Sequence, residues 1–235
     1  MEQTKYQYMG DSDQQKNLPQ PPLTQGAEGK PTIDLPRPET IQVKSIDLTR
    51  AITERKSVRK YAAATLTLDE LSYLLWCTQG VKHVTNRPAT LRTVPSAGSR
   101  HPFETYILVN RVEGLEPGLY RFVSEDHQLV SVDHSPGLDD KITHAAYKQP
   151  MVKNSAVTFI WAAVAYRSIW RYQERAYRYM HLDAGHVCQN LYLAAEAIDS
   201  GVCAIAAFDD DEINRLLGLD GIEQFVIYLA PVGKK

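Results

Sequence analysis

The sequence predicts an α+β fold, and three observations carry that prediction. Between Tyr177 and Gly201, apolar residues recur at the helical period, which predicts a long helix ended by that glycine (Met180, Ala184, Val187, Cys188, Leu191, Ala195 and Ile198). Its other faces are also rich in apolar residues, so we expect it to be buried against a sheet and a second subunit. The continuous apolar run Ala156–Ala165 is typical of a central strand buried on both faces. Strands and helices alternate without a regular βαβ rhythm, which favours α+β over a doubly wound sheet.

The chain divides into an N-terminal arm and one domain. Residues 1–44 are polar and rich in proline, as in LPQPPL and DLPRPET, which predicts an extended arm. Two alternatives are open for this arm, since it is either disordered or wrapped around a partner subunit. Residues 45–235 are long enough to bury one substantial core.

The remaining elements follow from local signals. Thr67 and Glu70 form a capping box that starts a helix ending at Gly80, and the polar segment Val81–Thr93 is interpreted as a loop. Asp209 caps another helix in the same way. The other predicted elements are helices at Ser45–Glu54 and Leu138–Tyr147, strands at Phe103–Val109, Leu119–Val123, Leu129–Val132 and Gln224–Ala230, and a strand or extended loop at Val202–Phe208.

Composition excludes several classes of partner. The net charge of −2 gives no electrostatic case for nucleic acid or an anionic membrane. No apolar run reaches the roughly 20 residues of a membrane-spanning helix, and the N-terminus has no apolar signal core. The three cysteines (Cys77, Cys188 and Cys203) are far apart and cannot all pair, which predicts buried thiols in a reduced, cytoplasmic protein.

The segment RKSVRKY is the first candidate binding motif. In an extended conformation Arg55, Ser57 and Arg59 point the same way, and two guanidiniums with a hydroxyl suit an anionic ligand. The alternative is a solvated basic turn after a helix.

A second candidate is the loop from Thr93 to Pro102, TVPSAGSRHP. Small residues between two prolines allow a ligand to approach the backbone and its N–H groups. A tight turn before a strand explains the same pattern equally well.

The histidines and the polar face of the long helix give little support for a metal site. His181 and His186 are five residues apart and lie on different faces of a helix, so we expect no metal site. Asp183, His186 and Asn190 share one face, where an interface network explains them at least as well as catalysis.

Five motifs in order resemble the nitroreductase-like superfamily of flavoproteins, and most closely its SagB-type dehydrogenase branch. They are RKSVRKY, TVPSAGSRHPFETYILV, EPGLYRF, RYQERAYRYMHLDAGHVCQNLYLAAEAI and GVCAIAAFDDDEINRLLGLDG. The resemblance covers about residues 45–235. It implies a mainly antiparallel central sheet flanked by helices, a homodimer with the long central helix at its interface, and one FMN per subunit.

The resemblance also implies the site residues. Arg55, Ser57 and Arg59 would contact FMN, and a partner's loop would contribute Pro95, Ser96, Ala97 and Ser99. The segment Ala204, Ile205, Ala206 and Ala207 would lie against the ring, where many nitroreductases carry Glu-Gly. Lys234 or Lys235 would hold the phosphate, and Gln149 is a further candidate for a ring contact.

The activity implied is hydride transfer through FMN between NAD(P)H or a reduced substrate and a small organic acceptor. SagB-type azoline oxidases carry a Lys-Tyr pair before the central helix, whereas this chain has Arg171-Tyr172. Arginine is a poor general base, which leaves Tyr172 as the side chain proposed for proton transfer. Two alternatives are an azoline dehydrogenase acting on a modified peptide and a non-catalytic flavin-binding scaffold subunit.

Overall fold

A seven-stranded antiparallel sheet forms the centre of the molecule, which confirms the predicted α+β fold. The computed structural model describes every residue from Met1 to Lys235. Along the sheet the strand order is β1-β6-β5-β4-β7-β9-β8. The strands are β1 Thr32–Asp34, β4 Phe103–Val109, β5 Gly118–Val123, β6 Gln128–Asp133, β7 Val157–Val164, β8 Ser200–Val202 and β9 Gln224–Lys234, while β2 Val81–Val84 and β3 Thr90–Arg92 form a separate hairpin.

Seven α-helices surround the sheet. They are α1 Leu48–Glu54, α2 Leu68–Gln79, α3 Leu138–Ala145, α4 Met151–Asn154, α5 Tyr166–Tyr172, α6 Arg175–Glu196 and α7 Asp210–Leu217, with short 3₁₀ turns at Glu2–Thr4, Tyr6–Tyr8 and Ala97–Ser99. No helix is both long and apolar enough to cross a membrane.

Both faces of the sheet are covered, because side chains alternate along its central strands. On β7, Phe159 and Trp161 pack into the core formed with α2 and α6. Ile160 and Ala162 face the opposite core, formed with α3 and α7. This explains why the run Ala156–Ala165 is apolar throughout rather than alternating.

Local capping explains where the helices begin. Thr67 and Glu70 form the predicted capping box of α2, with both reciprocal hydrogen bonds present. The Asp209 side chain accepts from the Glu212 amide at the start of α7, which ends at Gly218 with a left-handed φ of 72°. Both predicted starts are therefore confirmed.

Other predicted boundaries were wrong. The central helix α6 ends at Glu196, and Gly201 instead lies in β8, opposite Gly233. A Cβ atom at Gly201 would lie 2.4 Å from the Val58 side chain, so the close packing of this segment explains the glycine. The predicted loop at Val81–Thr93 contains the β2–β3 hairpin, and β9 continues through Pro231 to Lys234.

The N-terminal arm lies along its own chain. Its strand β1 pairs with β6 at the edge of the sheet. Farther upstream, the Gln14 amide donates to the Trp170 carbonyl over 2.9 Å, and Trp170 Nε1 donates to the Leu18 carbonyl over 3.1 Å. These contacts tie the arm to β6 and to α5 of its own chain.

Buried arginines hold the middle of the arm. Glu104 lies between Arg121 and Arg167, at 3.3 Å and 2.5 Å, and all three side chains are about 5% exposed. Arg121 also donates to the carbonyls of Gln25 and Gly26, each over 2.7 Å. Arm carbonyls therefore satisfy donors that one carboxylate cannot satisfy alone.

Candidate functional site

The predicted site residues form two groups in the chain. The first cluster contains the segment Arg55–Arg59, Gln149 and the segment Ala204–Ala207. The second cluster contains the loop Pro95–Ser99 with Arg171 and Tyr172. Hydrogen bonds and close contacts hold each cluster together.

Tyr192 on α6 joins the parts of the first cluster. Its hydroxyl forms a hydrogen bond of 3.1 Å with Ser57 Oγ and accepts from the Ala204 amide over 2.9 Å. The Arg55 guanidinium lies 5.2 Å from the centre of the Tyr192 ring. One buried tyrosine thus positions two segments that are distant in sequence.

The segment around Ser57 is extended, as predicted. Ser57 forms a bridge with Val202, and the Val58 amide donates to the Val202 carbonyl over 2.9 Å. Neither Arg55 nor Arg59 forms a salt bridge within the chain, so both guanidiniums keep their charge available. Arg59 lines an open cavity of about 670 Å³ together with Tyr61 and Met151.

The segment Ala204–Ala207 presents small side chains and free backbone. Ile205 is buried and pairs with Leu229, whereas Ala206 and Ala207 are exposed. Gln149 Nε2 donates to the Ala207 carbonyl over 3.0 Å, which brings these predicted residues together.

The two C-terminal lysines are paired with carboxylates. Lys234 donates to Glu70 and, over 2.8 Å, to the Ile198 carbonyl. Lys235 pairs with Glu196. The cations of the first cluster that form no salt bridge are Arg55, Lys56 and Arg59.

The second cluster is organised by Gly98. A Cβ atom at this position would lie 2.4 Å from the Tyr172 hydroxyl and 3.2 Å from Arg171 Cδ, and the φ of Gly98 is 57°. Only glycine fits such a close approach at positive φ. Ser99 and His101 also adopt left-handed φ angles, of 53° and 43°, which is a strained backbone typical of functional loops.

Asp183 anchors this loop to α6. Its carboxylate accepts from Ser96 Oγ over 2.5 Å and from the Ala97 amide over 3.3 Å. Burial raises the pKa of Asp183, against the lowering effect of these hydrogen bonds. Asn190, on the same helix face, donates to the Cys77 and Thr93 carbonyls. These contacts within one subunit favour a structural role for the polar face of α6.

The two clusters flank α6 on opposite sides. Asp183 and Tyr192 are nine residues apart in this helix. At about 1.5 Å and 100° per residue, they are roughly 13 Å apart along the axis and face about 180° apart. One ligand can therefore touch both kinds of cluster only if a second copy of the chain supplies one of them, or if the ligand is large enough to span α6.

The remaining titratable groups suggest little further chemistry. Burial raises the pKa of all three thiols, that of Cys188 to about 12, so none is activated as a nucleophile. Burial, with a smaller effect of the Arg92 guanidinium, lowers the pKa of His101 to about 3. No group of three or more His, Cys, Asp or Glu side chains is arranged to hold a metal ion.

The first cluster suits a ligand that combines a phosphate with a flat ring. Two uncompensated guanidiniums and a hydroxyl match a phosphate monoester. The small side chains of Ala206 and Ala207 allow a flat ring to lie against the backbone, and Gln149 supplies an amide at the same place.

Sequence reasoning missed Tyr192 and the anchoring role of Asp183. Tyr192 lies beside the apolar stripe of α6, where a tyrosine resembles a core residue. Its partners Ser57 and Ala204 are far away in sequence, so no local pattern identifies it. The sequence places Asp183 on a polar helix face, but it does not show that Asp183 binds the loop at Ser96 and Ala97.

Comparison with known proteins gives the following matches. The model of the nitroreductase family matches residues 52–234. A protein of Methanocaldococcus jannaschii, named as a nitroreductase, is 35% identical over 208 residues, which are 87% of this chain and 98% of that protein. The trifolitoxin-processing protein TfxB of Rhizobium leguminosarum bv. trifolii is 29% identical over 66% of this chain and 44% of its own length.

Solved structures show the same fold. A nitroreductase of Anabaena variabilis has a TM-score of 0.69 and 27% identity, covering 88% of this chain, which spans only 42% of that protein. The microcin synthetase McbBCD complex of Escherichia coli, with truncated pro-MccB17 bound, contains a chain with a TM-score of 0.64 and 18% identity, covering 85% of this chain and 76% of that one. The NADPH:FMN oxidoreductase of Vibrio harveyi, complexed with NAD⁺, has a TM-score of 0.56 and 14% identity, covering 80% and 68%.

Proposed function

The chain belongs to the nitroreductase family of flavin oxidoreductases, and from this premise we propose that it is an FMN-dependent enzyme. It transfers hydride between NAD(P)H, or a reduced substrate, and a small organic acceptor. The observation that carries the proposal is the first cluster, where Tyr192 joins the segment of Arg55 and Ser57 to the small residues that begin at Ala204. The three free cysteines of the chain, of which Cys188 and Cys203 are buried, are the argument for a reducing, cytoplasmic location.

Each part of the first cluster has a distinct task. Arg55 and Arg59 bind the phosphate by charge, and Ser57 adds a hydroxyl that Tyr192 orients. The backbone at Ala206 and Ala207 lies against the ring, with Gln149 fixing that segment. Bound FMN supplies the hydride chemistry at its N5 atom, and the residues of the chain hold and desolvate the reacting groups. Lys234 and Lys235 serve chiefly to join the chain's last strand to α2 and α6.

The complete site is shared between two subunits of a homodimer. The second cluster lies on the other side of α6 from the first, so the partner's loop Pro95–Ser99 supplies the missing wall. Exposed apolar side chains are available for the interface. Leu48 and Ile52 on α1 and Leu182 on α6 are apolar side chains that are 64%, 54% and 57% exposed.

In this arrangement Tyr172 is the proton donor to the reduced acceptor. Its hydroxyl lies at Gly98, next to the loop that reaches the partner's flavin. Arg171, whose guanidinium lies 5.5 Å from the Tyr172 ring centre, contributes positive charge and cannot act as a base.

A second candidate is dehydrogenation of an azoline in a modified peptide. One similar protein is named as a trifolitoxin-processing protein, and one similar structure is a microcin synthetase complex with truncated pro-MccB17 bound. The arginine at position 171, in place of lysine, counts against it. Loss of azoline absorbance on incubation with an azoline peptide, without NAD(P)H, distinguishes this reaction from reduction of a small acceptor.

Removing a phosphate-binding charge tests the cofactor assignment. We expect Arg59→Ala to weaken FMN affinity about tenfold or more, since a charge-assisted hydrogen bond contributes roughly 1.5–3 kcal/mol. Arg87→Ala is the matched control, because Arg87 is an exposed arginine in the turn between β2 and β3 and lies outside the first cluster. Fluorescence titration of the flavin-free protein with FMN gives both affinities. Equal affinities in the two variants would remove Arg59 from the site.

A further inference from the structure

The N-terminal arm lines an open cavity beside the second cluster. This cavity has a volume of about 400 Å³ and eight lining residues, six of which belong to the arm. Tyr6, Met9 and Gly10 form the arm's wall, and Arg171 and Tyr172 lie opposite. The residue proposed for proton transfer therefore faces a space that the arm shapes.

The arm is fixed in this position by specific hydrogen bonds. Gly10 and Gln173 form a reciprocal pair, in which the Gly10 amide donates to Gln173 Oε1 over 3.1 Å and Gln173 Nε2 donates to the Gly10 carbonyl over 2.9 Å. A hydrogen bond of 2.8 Å joins the hydroxyls of Tyr6 and Tyr179. The cavity is thus a built feature with ordered walls on both sides.

The lining specifies the chemistry of a ligand. Arg171 is the only charged residue among the eight, and its guanidinium forms no salt bridge. Tyr6 and Tyr172 supply aromatic rings, of which the Tyr6 ring already has the Arg175 guanidinium 4.3 Å from its centre, and Met9 adds a polarisable side chain. A flat aromatic ring bearing an anionic group matches this set of partners.

We propose that this cavity binds the carboxylate of an aromatic substrate, and that the arm determines which substrates bind. This inference rests on the proposed function, because it assigns the substrate side of the same site. Arg171 binds the carboxylate, and the aromatic ring lies between the arm and Tyr172. The arm is then part of the enzyme's specificity rather than only a structural strap.

Two related probes test the proposal in the full-length protein. The probes are para-nitrobenzoate and its neutral analogue para-nitrobenzamide, and calorimetry measures their dissociation constants without turnover. We expect the benzoate to bind about tenfold more tightly, and Arg171→Gln to abolish that difference. Gly10→Leu fills the cavity, because a Cβ atom at Gly10 has no neighbour within 4 Å, and it should weaken both probes at least fivefold.

The control is Gly26→Leu, another arm position where a Cβ atom has no neighbour within 4 Å. It lies outside the cavity and should leave both dissociation constants unchanged. Equal binding of the two probes to the wild type, or unchanged binding after Gly10→Leu, would overturn the inference. The flavin content of each preparation is read separately from its visible spectrum, so a failure to bind FMN contradicts the proposed function, whereas the binding constants decide the cavity's role.

Discussion

At the scale of single residues, Tyr192 is the side chain that connects the segments of the first cluster. Its hydroxyl contacts Ser57 and Ala204, and its ring supports Arg55. Each of these contacts is with a residue that the sequence had already suggested for cofactor binding. The individual binding residues could thus be predicted from their motifs, but the side chain that positions them could not.

His101 gives a prediction about pH. Burial lowers its pKa from 6.5 to about 3, so the folded protein keeps the imidazole neutral where the unfolded chain binds a proton. The unfolded state therefore binds more protons below pH 6.5, and stability falls as the pH falls toward 3. We expect each pH unit in that window to remove up to about 1.4 kcal/mol of unfolding free energy through this residue.

Urea denaturation between pH 4 and pH 7 measures this effect. His101→Gln should show a shallower loss of stability with acid than the wild type, whatever its stability at neutral pH. His83→Gln, at an exposed histidine, serves as the control and should keep the wild-type slope. Identical slopes for all three proteins would show that His101 does not titrate differently on folding.

At the scale of elements, Glu104 on β4 connects the sheet, α5 and the arm. Glu104→Gln leaves Arg121 and Arg167 buried without a countercharge. Removing one partner of a buried ion pair typically costs about 3–5 kcal/mol, and we expect a loss of that size in thermal or urea unfolding. Glu116→Gln, an exposed carboxylate without a salt bridge, should change stability by less than about 0.5 kcal/mol. A small effect of Glu104→Gln would mean that the arm's carbonyls alone satisfy these arginines.

The elements that could be predicted are those with local signals. The starts of α2 and α7 follow from capping residues, and β7 follows from its apolar run. The helix α5 was missed because its aromatic and basic residues resemble a surface segment, although Trp170 and Arg167 are buried beneath the arm. The β2–β3 hairpin was missed because its strands are short and largely exposed. In both cases tertiary contacts decide the structure rather than local propensity.

At the scale of the whole molecule, the two clusters explain why the site could be only partly predicted. Sequence motifs identify the segments that form it, but not that α6 separates them within one chain. The pairing of Lys234 with Glu70 is likewise invisible in sequence, because these residues are 164 positions apart. Their grouping depends on how the sheet and α6 bring distant segments together.

Leu182 tests the dimer that this separation requires. We expect the wild type to have about twice the monomer mass of 26.5 kDa in light scattering. Leu182→Glu places a charge at an exposed apolar position of α6, which should produce monomers and reduce FMN retention together. Ile222→Glu is the control, since Ile222 is 75% exposed and lies in a turn before β9. A monomeric variant that retains FMN fully would show that one subunit completes the site.

The most direct test of the account is the visible absorption spectrum of freshly purified protein, recorded without oxygen before and after addition of NAD(P)H. Our account predicts a flavin spectrum in the purified protein and its bleaching by NAD(P)H. A flavin spectrum that persists would contradict NAD(P)H as the donor and favour a substrate dehydrogenase or a non-catalytic flavoprotein. A colourless protein that also fails to take up added FMN would contradict the central claim.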